Sequence, residues 1–167
     1  MLQFKVYRNK PNQPESIASN TINSLMIDKD GSLWIGTMDG LSLYDKEQDI
    51  FYNYFFEKNG VRLQVYEVVD WDKEILVGTH QGLLAFNKRQ KTFRVIEYLP
   101  RINSLYVTED SILIGTASGL YTYSIRHGNL YKTSFQLSGT GISTILQHEQ
   151  YKSKYWIGTE GKGFPPR

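Results

Sequence analysis

Three histidines, His80, His127 and His148, are the chain's most versatile acid–base groups, and they stand far apart at different points of the sequence, with nothing in their spacing that supports a metal triad or a nucleophile–His–acid arrangement. There is no cysteine, so disulfides, thiolate zinc sites, iron–sulfur clusters and cysteine nucleophiles are excluded together. Asp28-Lys29-Asp30-Gly31 opens like a calcium loop, but its Gly comes fourth where an EF-hand needs it sixth, and Asp-Gly reads as a tight turn. Gly158-Thr159-Glu160-Gly161-Lys162-Gly163 lacks the spacing of a phosphate loop. The expectation is therefore a chain with no catalytic residue, no metal and no cofactor. What remains is binding chemistry. Asp39, His80, Gln81 and Glu160 could hydrogen-bond sugar hydroxyls, while a Tyr or Trp stacks beneath the ring.

The bulk properties narrow the partners. Net charge is +2 over 167 residues, which supplies no drive toward nucleic acid or an anionic membrane surface. The short basic run Lys88-Arg89-Gln90-Lys91 reads as a solvated turn. Aromatic residues make up 14% of the chain, too many for a disordered segment and of a type that favours strands. Met1 to Arg8 carry no apolar run of signal-peptide length, and no stretch approaches the roughly 18 apolar residues of a spanning helix.

The four candidate residues are placed by an internal repeat. Trp34-Ile35-Gly36-Thr37 recurs as Leu76-Val77-Gly78-Thr79, Leu113-Ile114-Gly115-Thr116 and Trp156-Ile157-Gly158-Thr159, about every 40 residues. In the first three repeats Gly-Thr is followed by two variable residues, then Gly-Leu and an alternating apolar run. Each period reads as four short strands joined by tight turns: 22–27, 33–37, 41–44 and 50–55 in the first. The second gives 64–69, 74–79, 83–86 and 92–97; the third gives 102–107, 111–116, 120–124 and 130–135. The fold class is all-β, with four-stranded antiparallel meanders of the β-propeller blade type. The whole chain, 1–167, reads as one domain with repeats at 22–55, 64–97, 102–135 and 142–167. The last is incomplete, and residues 4–8 read as an outer strand of a preceding or closing blade.

The glycines carry two mechanical expectations. Gly36, Gly78, Gly115 and Gly158 end the second strand, where a missing side chain lets a neighbour approach. Gly40, Gly82 and Gly119 enter the third strand and supply positive φ. Trp34 and Trp156 read as packing between blades. The pairs 38–39, 80–81, 117–118 and 160–161 lie in turns that share one face with the connections between blades.

Trp34-Ile35-Gly36-Thr37-Met38-Asp39-Gly40-Leu41-Ser42-Leu43-Tyr44-Asp45 resembles the two-component regulator propeller repeat, W-I-G-T-x-x-G-L-x-x-Y-D. The lead-in, Tyr7-Arg8-Asn9 with Pro11 and Pro14, then Asn20 to Leu25, resembles it too. Leu76 and Leu113 replace the Trp in the second and third repeats. The resemblance implies the periplasmic sensor region of a Bacteroidetes hybrid two-component sensor kinase, responding to polysaccharide fragments. It implies a non-catalytic module with an oligosaccharide as ligand. A protein–protein or oligomerisation scaffold is the alternative, and a carbohydrate-active enzyme the third reading. Because 4–8 lack inner strands and the last repeat lacks its outer one, self-association through blade completion is expected.

Overall fold

The computed structural model describes residues 3–133 and 139–161. The first blade runs Ile22–Ile27 (β1), Leu33–Thr37 (β2), Gly40–Asp45 (β3) and Ile50–Tyr54 (β4), paired in that order. A small hairpin, Glu57–Lys58 (β5) and Val61–Arg62 (β6), fills the connection to the second blade. That blade is Val65–Trp71 (β7), Glu74–Thr79 (β8), Gly82–Asn87 (β9) and Thr92–Glu97 (β10). The third is Ile102–Val107 (β11), Ser111–Thr116 (β12), Gly119–Ser124 (β13) and Asn129–Lys132 (β14). A half-blade, Ile142–Gln147 (β15) and Tyr155–Thr159 (β16), follows. All ladders are antiparallel. Among the described residues no helix is long and apolar enough to cross a membrane.

Stacking explains the burial pattern. Strands β8 and β9 are buried on both faces, because a blade lies on each side of them. Trp34, Leu41, Val68, Ile75, Val77, Leu84 and Phe86 form the layer between the first two blades. Leu76, Leu83 and Ala85 meet Ile102, Leu105, Ile112 and Ile114 in the next layer. Ile142 and Ile145 close the third against Tyr106, Leu113 and Leu120. The core is therefore a series of apolar layers, with inner strands β1, β7, β11 and β15 as successive neighbours.

Every inner strand carries the same bulge, between Ile22 and Ser24, Val65 and Glu67, Ile102 and Ser104, and Ile142 and Thr144. In the first and third blades the extra residue reaches the next inner strand. Asn23 Nδ2 donates to the Val65 carbonyl and Asn103 Nδ2 to the Ile142 carbonyl, each at 2.8 Å. Gly82 has φ +138° and its Cα faces the Glu97 carbonyl so closely that a Cβ would stand 2.2 Å from the oxygen. Both restrictions require glycine at that turn.

Residues 3–10 form no ladder of their own. The segment instead lies against the outer strands of the first blade: the Tyr7 ring is 5.1 Å from Phe51 and 5.4 Å from Tyr44. Its hydroxyl donates to Asp49 at 2.8 Å. Tyr7 thus stands to Tyr44 as Tyr54 stands to Phe86 one blade later, at 4.6 Å. Trp34 is buried between blades as expected; Trp156 is exposed, with no further blade packed on it among the described residues. The expected strand end at 134–135 and the Gly163-Phe164 stub lie outside the described residues.

Candidate functional site

The turns between second and third strands are built by one device. Thr37 Oγ1 donates to the Gly40 carbonyl at 3.0 Å and accepts the Asp39 amide at 3.1 Å. Thr79 does the same with Gly82 and Gln81, at 2.8 and 3.1 Å, and Thr116 with Gly119 and Ser118, at 2.9 and 3.1 Å. All three threonines are buried. Gly-Thr-x-x-Gly is thus a self-tied turn that presents its two middle residues outward and leaves their side chains free to differ. Backbone bonds from Met38 to Thr21, Ala117 to Arg101 and Glu160 to Gly141 bring these turns onto one face with the blade connections.

On that face three of the four candidate residues join one polar network. His80 Nε2 lies 3.0 Å from the Gln81 carboxamide, and His80 Nδ1 accepts the Gln64 amide at 3.2 Å. Gln64 Oε1 accepts the Tyr66 hydroxyl at 2.8 Å, and the Arg101 guanidinium lies 5.6 Å from the Tyr66 ring centre. Arg101 Nη2 then donates to Glu160 at 3.1 Å and its Nε to Asn103 Oδ1 at 2.9 Å. The network crosses the second, third and fourth blades. Asp39 is tied separately, by Arg62 Nη1 at 3.0 Å. Arg62 also reaches Glu57 at 3.3 Å and lies 3.9 Å from the Phe55 ring centre.

Arg62, Gln64, Tyr66, Arg101 and Asn103 escaped the sequence reading. Arg62 sits on the β5–β6 hairpin, whose turn Asn59-Gly60 has φ of 53° and 74° at its two residues. That dipeptide was a readable hairpin signal. Tyr66 and Asn103 are bulge residues, and periodicity does not announce that they point at the next blade. Arg101 has no sequence signal at all.

The side chains of Arg62, Asp39, Arg101 and Glu160 are each roughly two-fifths exposed, held in place yet open to a ligand. The surface offers guanidinium, amide and carboxylate groups beside the Phe55 and Tyr66 rings, a combination suited to polyhydroxylated ligands. Among the described residues it sets no hydroxyl beside a base, the pairing that activates a nucleophile. His127 is exposed in the β13–β14 turn, and His148 stacks on Trp156 at 5.9 Å, both away from this network.

Glu67 occupies the inner-strand position that Ser24 and Ser104 hold in their blades. It is half-buried, and burial pushes its carboxyl up to about 7. At the opposite edge of the blades Asp28 accepts the amides of Asp30 and Ser32 and the Trp34 indole N–H, all within 3.0 Å. Lys88 of the second blade adds its ammonium at 3.1 Å. The aspartate's acceptor positions are thus taken by the protein, as a turn requires and a calcium loop would not allow.

A family model described as two component regulator propeller matches residues 16–39, the span that ends at Asp39. No curated protein matches the chain. Among solved structures, the extracellular domain of a protein described as the hybrid two component system BT3049 of B. thetaiotaomicron superposes at TM-score 0.77 with 22% identity, over 95% of this chain and 22% of that one. The extracellular domain of a second protein so described, BT4673, gives 0.72 and 23% over 86% of this chain and 21% of that one. An auxiliary nutrient binding protein from Bacteroides thetaiotaomicron gives 0.64 and 12%, over 83% of this chain and 36% of that one. The chain spans about a fifth of the length of the two extracellular domains. These likenesses establish the propeller fold.

Proposed function

We propose that this chain is a ligand-binding part of the extracytoplasmic sensor region of a two-component signalling protein, that it is not an enzyme, and that its ligand is an oligosaccharide. The observation that carries the reading is the polar network from Gln81 through His80, Tyr66 and Arg101 to Glu160, displayed on the turn face of a chain whose residues 16–39 match the two component regulator propeller model. Similar folds in the extracellular domains of proteins described as hybrid two component systems and in a nutrient binding protein support it and favour a periplasmic location. In this reading Arg62 and Arg101 present donors to sugar hydroxyls, Asp39 and Glu160 hold the guanidinium planes in place and accept from the same hydroxyls, and Tyr66 offers its ring. An array of plant and host oligosaccharides, followed by calorimetric titration of those retained, tests it. Binding that Arg101→Ala weakens at least tenfold supports the reading; no retained glycan, or hydrolysis of one, overturns it.

A further inference from the structure

The three seams between successive blades are not built alike. Across the first, Asn23 Nδ2 donates to the Val65 carbonyl at 2.8 Å and Ser24 Oγ accepts the Val68 N–H at 3.2 Å. Asp70 also accepts the Lys29 N–H at 3.0 Å, and Lys88 reaches Asp28 at 3.1 Å. The third seam repeats the pattern: Asn103 Nδ2 donates to the Ile142 carbonyl at 2.8 Å, and Ser104 Oγ accepts the Ile145 N–H at 3.0 Å. There Tyr106 donates to Gln147 Oε1 at 2.9 Å and Arg101 to Glu160 at 3.1 Å. In both seams an asparagine and the serine after it clamp the next inner strand, by its opening carbonyl and by the N–H three residues on.

The second seam lacks both clamps. Tyr66 stands where the asparagines stand, and Glu67 where the serines stand. The Tyr66 hydroxyl donates within its own blade, to Gln64, and among the described residues no hydrogen-bond donor meets the half-buried Glu67 carboxyl. Among those residues no hydrogen bond or ion pair crosses from the second blade to the third. What joins them is Ile102 pressed on Gly78, the apolar layer around Leu76, Leu83 and Leu105, and the Arg101 guanidinium 5.6 Å from the Tyr66 ring centre. Apolar packing is non-directional, so it holds two blades together without fixing their register as hydrogen bonds do. The one cationic contact over this seam, Arg101 on Tyr66, lies within the polar network of the turn face.

We propose that the seam between the second and third blades is a joint, and that an oligosaccharide bound on the turn face closes it; the inference rests on the binding surface proposed above. A ligand shifts an arrangement only by binding it better than the alternative. Here the differential contact is a bridge. A sugar chain held at once by His80 and Gln81 of the second blade and by Arg101 and Glu160 beyond the seam supplies the directional bonds that the protein leaves out. Drawn toward Tyr66, Arg101 carries the fourth repeat with it, because its Nε is tied to Asn103 and Asn103 to the Ile142 carbonyl. The first and third seams stay clamped, so the chain moves as two rigid halves about one apolar layer.

Amide exchange read by NMR on the full, isotope-labelled chain tests this. The Leu105 N–H is the counterpart of the Val68 and Ile145 N–H groups that the serines accept. In the free chain it exchanges about tenfold faster than the Val68 N–H, as a seam that opens at low cost requires. Glu67→Ser places a hydroxyl where Ser24 and Ser104 carry theirs and leaves Tyr66 and Arg101 untouched. It lowers the Leu105 rate to that of Val68, and it tightens binding of the oligosaccharide best retained on the array about threefold, because the bound arrangement is already populated. The same oligosaccharide slows the Leu105 N–H about fivefold in the wild type and leaves it unchanged in Glu67→Ser. A Leu105 N–H as protected as that of Val68 in the free chain overturns the joint, as does an unchanged Leu105 rate in Glu67→Ser. Oligosaccharide bound by titration with an unmoved Leu105 rate overturns the coupling and leaves the binding surface standing. An array that retains nothing overturns the binding surface and the coupling together.

Discussion

The Cγ2 methyl of Ile142 lies 2.6 Å from the point where a Cβ on Gly115 would stand, so the last inner strand seats on bare backbone. The contact is made by the branch at Cβ, which has no rotamer freedom to withdraw while the strand stays paired. Gly115→Ala should therefore destabilise the fold by about 2–3 kcal/mol through overpacking. Gly78→Ala should behave alike, since Ile102 stands 2.7 Å away. Urea denaturation of the single variants and of Gly115→Ala with Ile142→Ala checks the mechanism. The double variant should cost less than the sum of its parts, and strict additivity would contradict the seating.

Asp28 ties a turn, an indole and a neighbouring blade at one carboxylate. Asp28→Ala strands the buried Trp34 N–H and the Lys88 ammonium, and should cost about 3 kcal/mol. Burial pushes the Asp28 carboxyl up, but the hydrogen bonds from Trp34, Ser32 and Lys88 outweigh it and leave the group below its ordinary 3.8. A depressed folded-state value means that the stabilisation is present above the unfolded value and disappears as pH falls through the folded one. Asp28→Asn should therefore lose stability at pH 7 and show a flatter acid limb than the wild type in denaturation between pH 5 and pH 2. An unchanged acid limb would contradict the assignment.

Glu67 acts in the opposite sense. Its carboxyl, raised by burial from 4.5 to about 7, binds a proton more tightly in the folded chain than in the unfolded one. Stability from this group is complete below pH 4.5 and is lost as pH rises through about 7. Glu67→Gln should be more stable than the wild type at pH 8, by on the order of 1–2 kcal/mol given its partial exposure, and indistinguishable near pH 4. Melting temperatures across that range test it, and equal slopes in both proteins would refute the burial argument.

Much of this architecture was legible in the repeats. The strand bounds of 22–27, 33–37, 74–79, 92–97, 102–107 and 111–116 coincide with those found, because alternation and turn residues act locally. The Gly-Thr-x-x-Gly turn was legible as a turn, but the threonine that ties it was not. The polar network was only half visible. His80, Gln81 and Glu160 stand in readable turns, whereas Tyr66, Arg101 and Asn103 join them across blades, through a bulge and a connection that periodicity does not describe. Trp156 carried the same motif as Trp34 and the opposite environment, since burial depends on the neighbouring blade and not on the repeat itself.

The two arginines should separate by role. Arg62→Ala removes the partner of Asp39 and Glu57 and the cover over Phe55, on a hairpin outside the blade ladders. Its melting temperature should stay close to wild type, since exposed ion pairs are worth about 1 kcal/mol or less, while glycan affinity falls at least fivefold. A large loss of stability with unchanged affinity would make Arg62 structural only.

Hydrogen–deuterium exchange with and without the best-retained oligosaccharide tests the account most directly. Ligand on the turn face should slow exchange in segments 37–40, 62–66, 79–82 and 100–103, and leave the opposite turns at 28–32, 71–74 and 108–111 unchanged. Protection confined to those opposite turns, or to the exposed faces around Leu25 and Trp156, would contradict the placement of the binding surface.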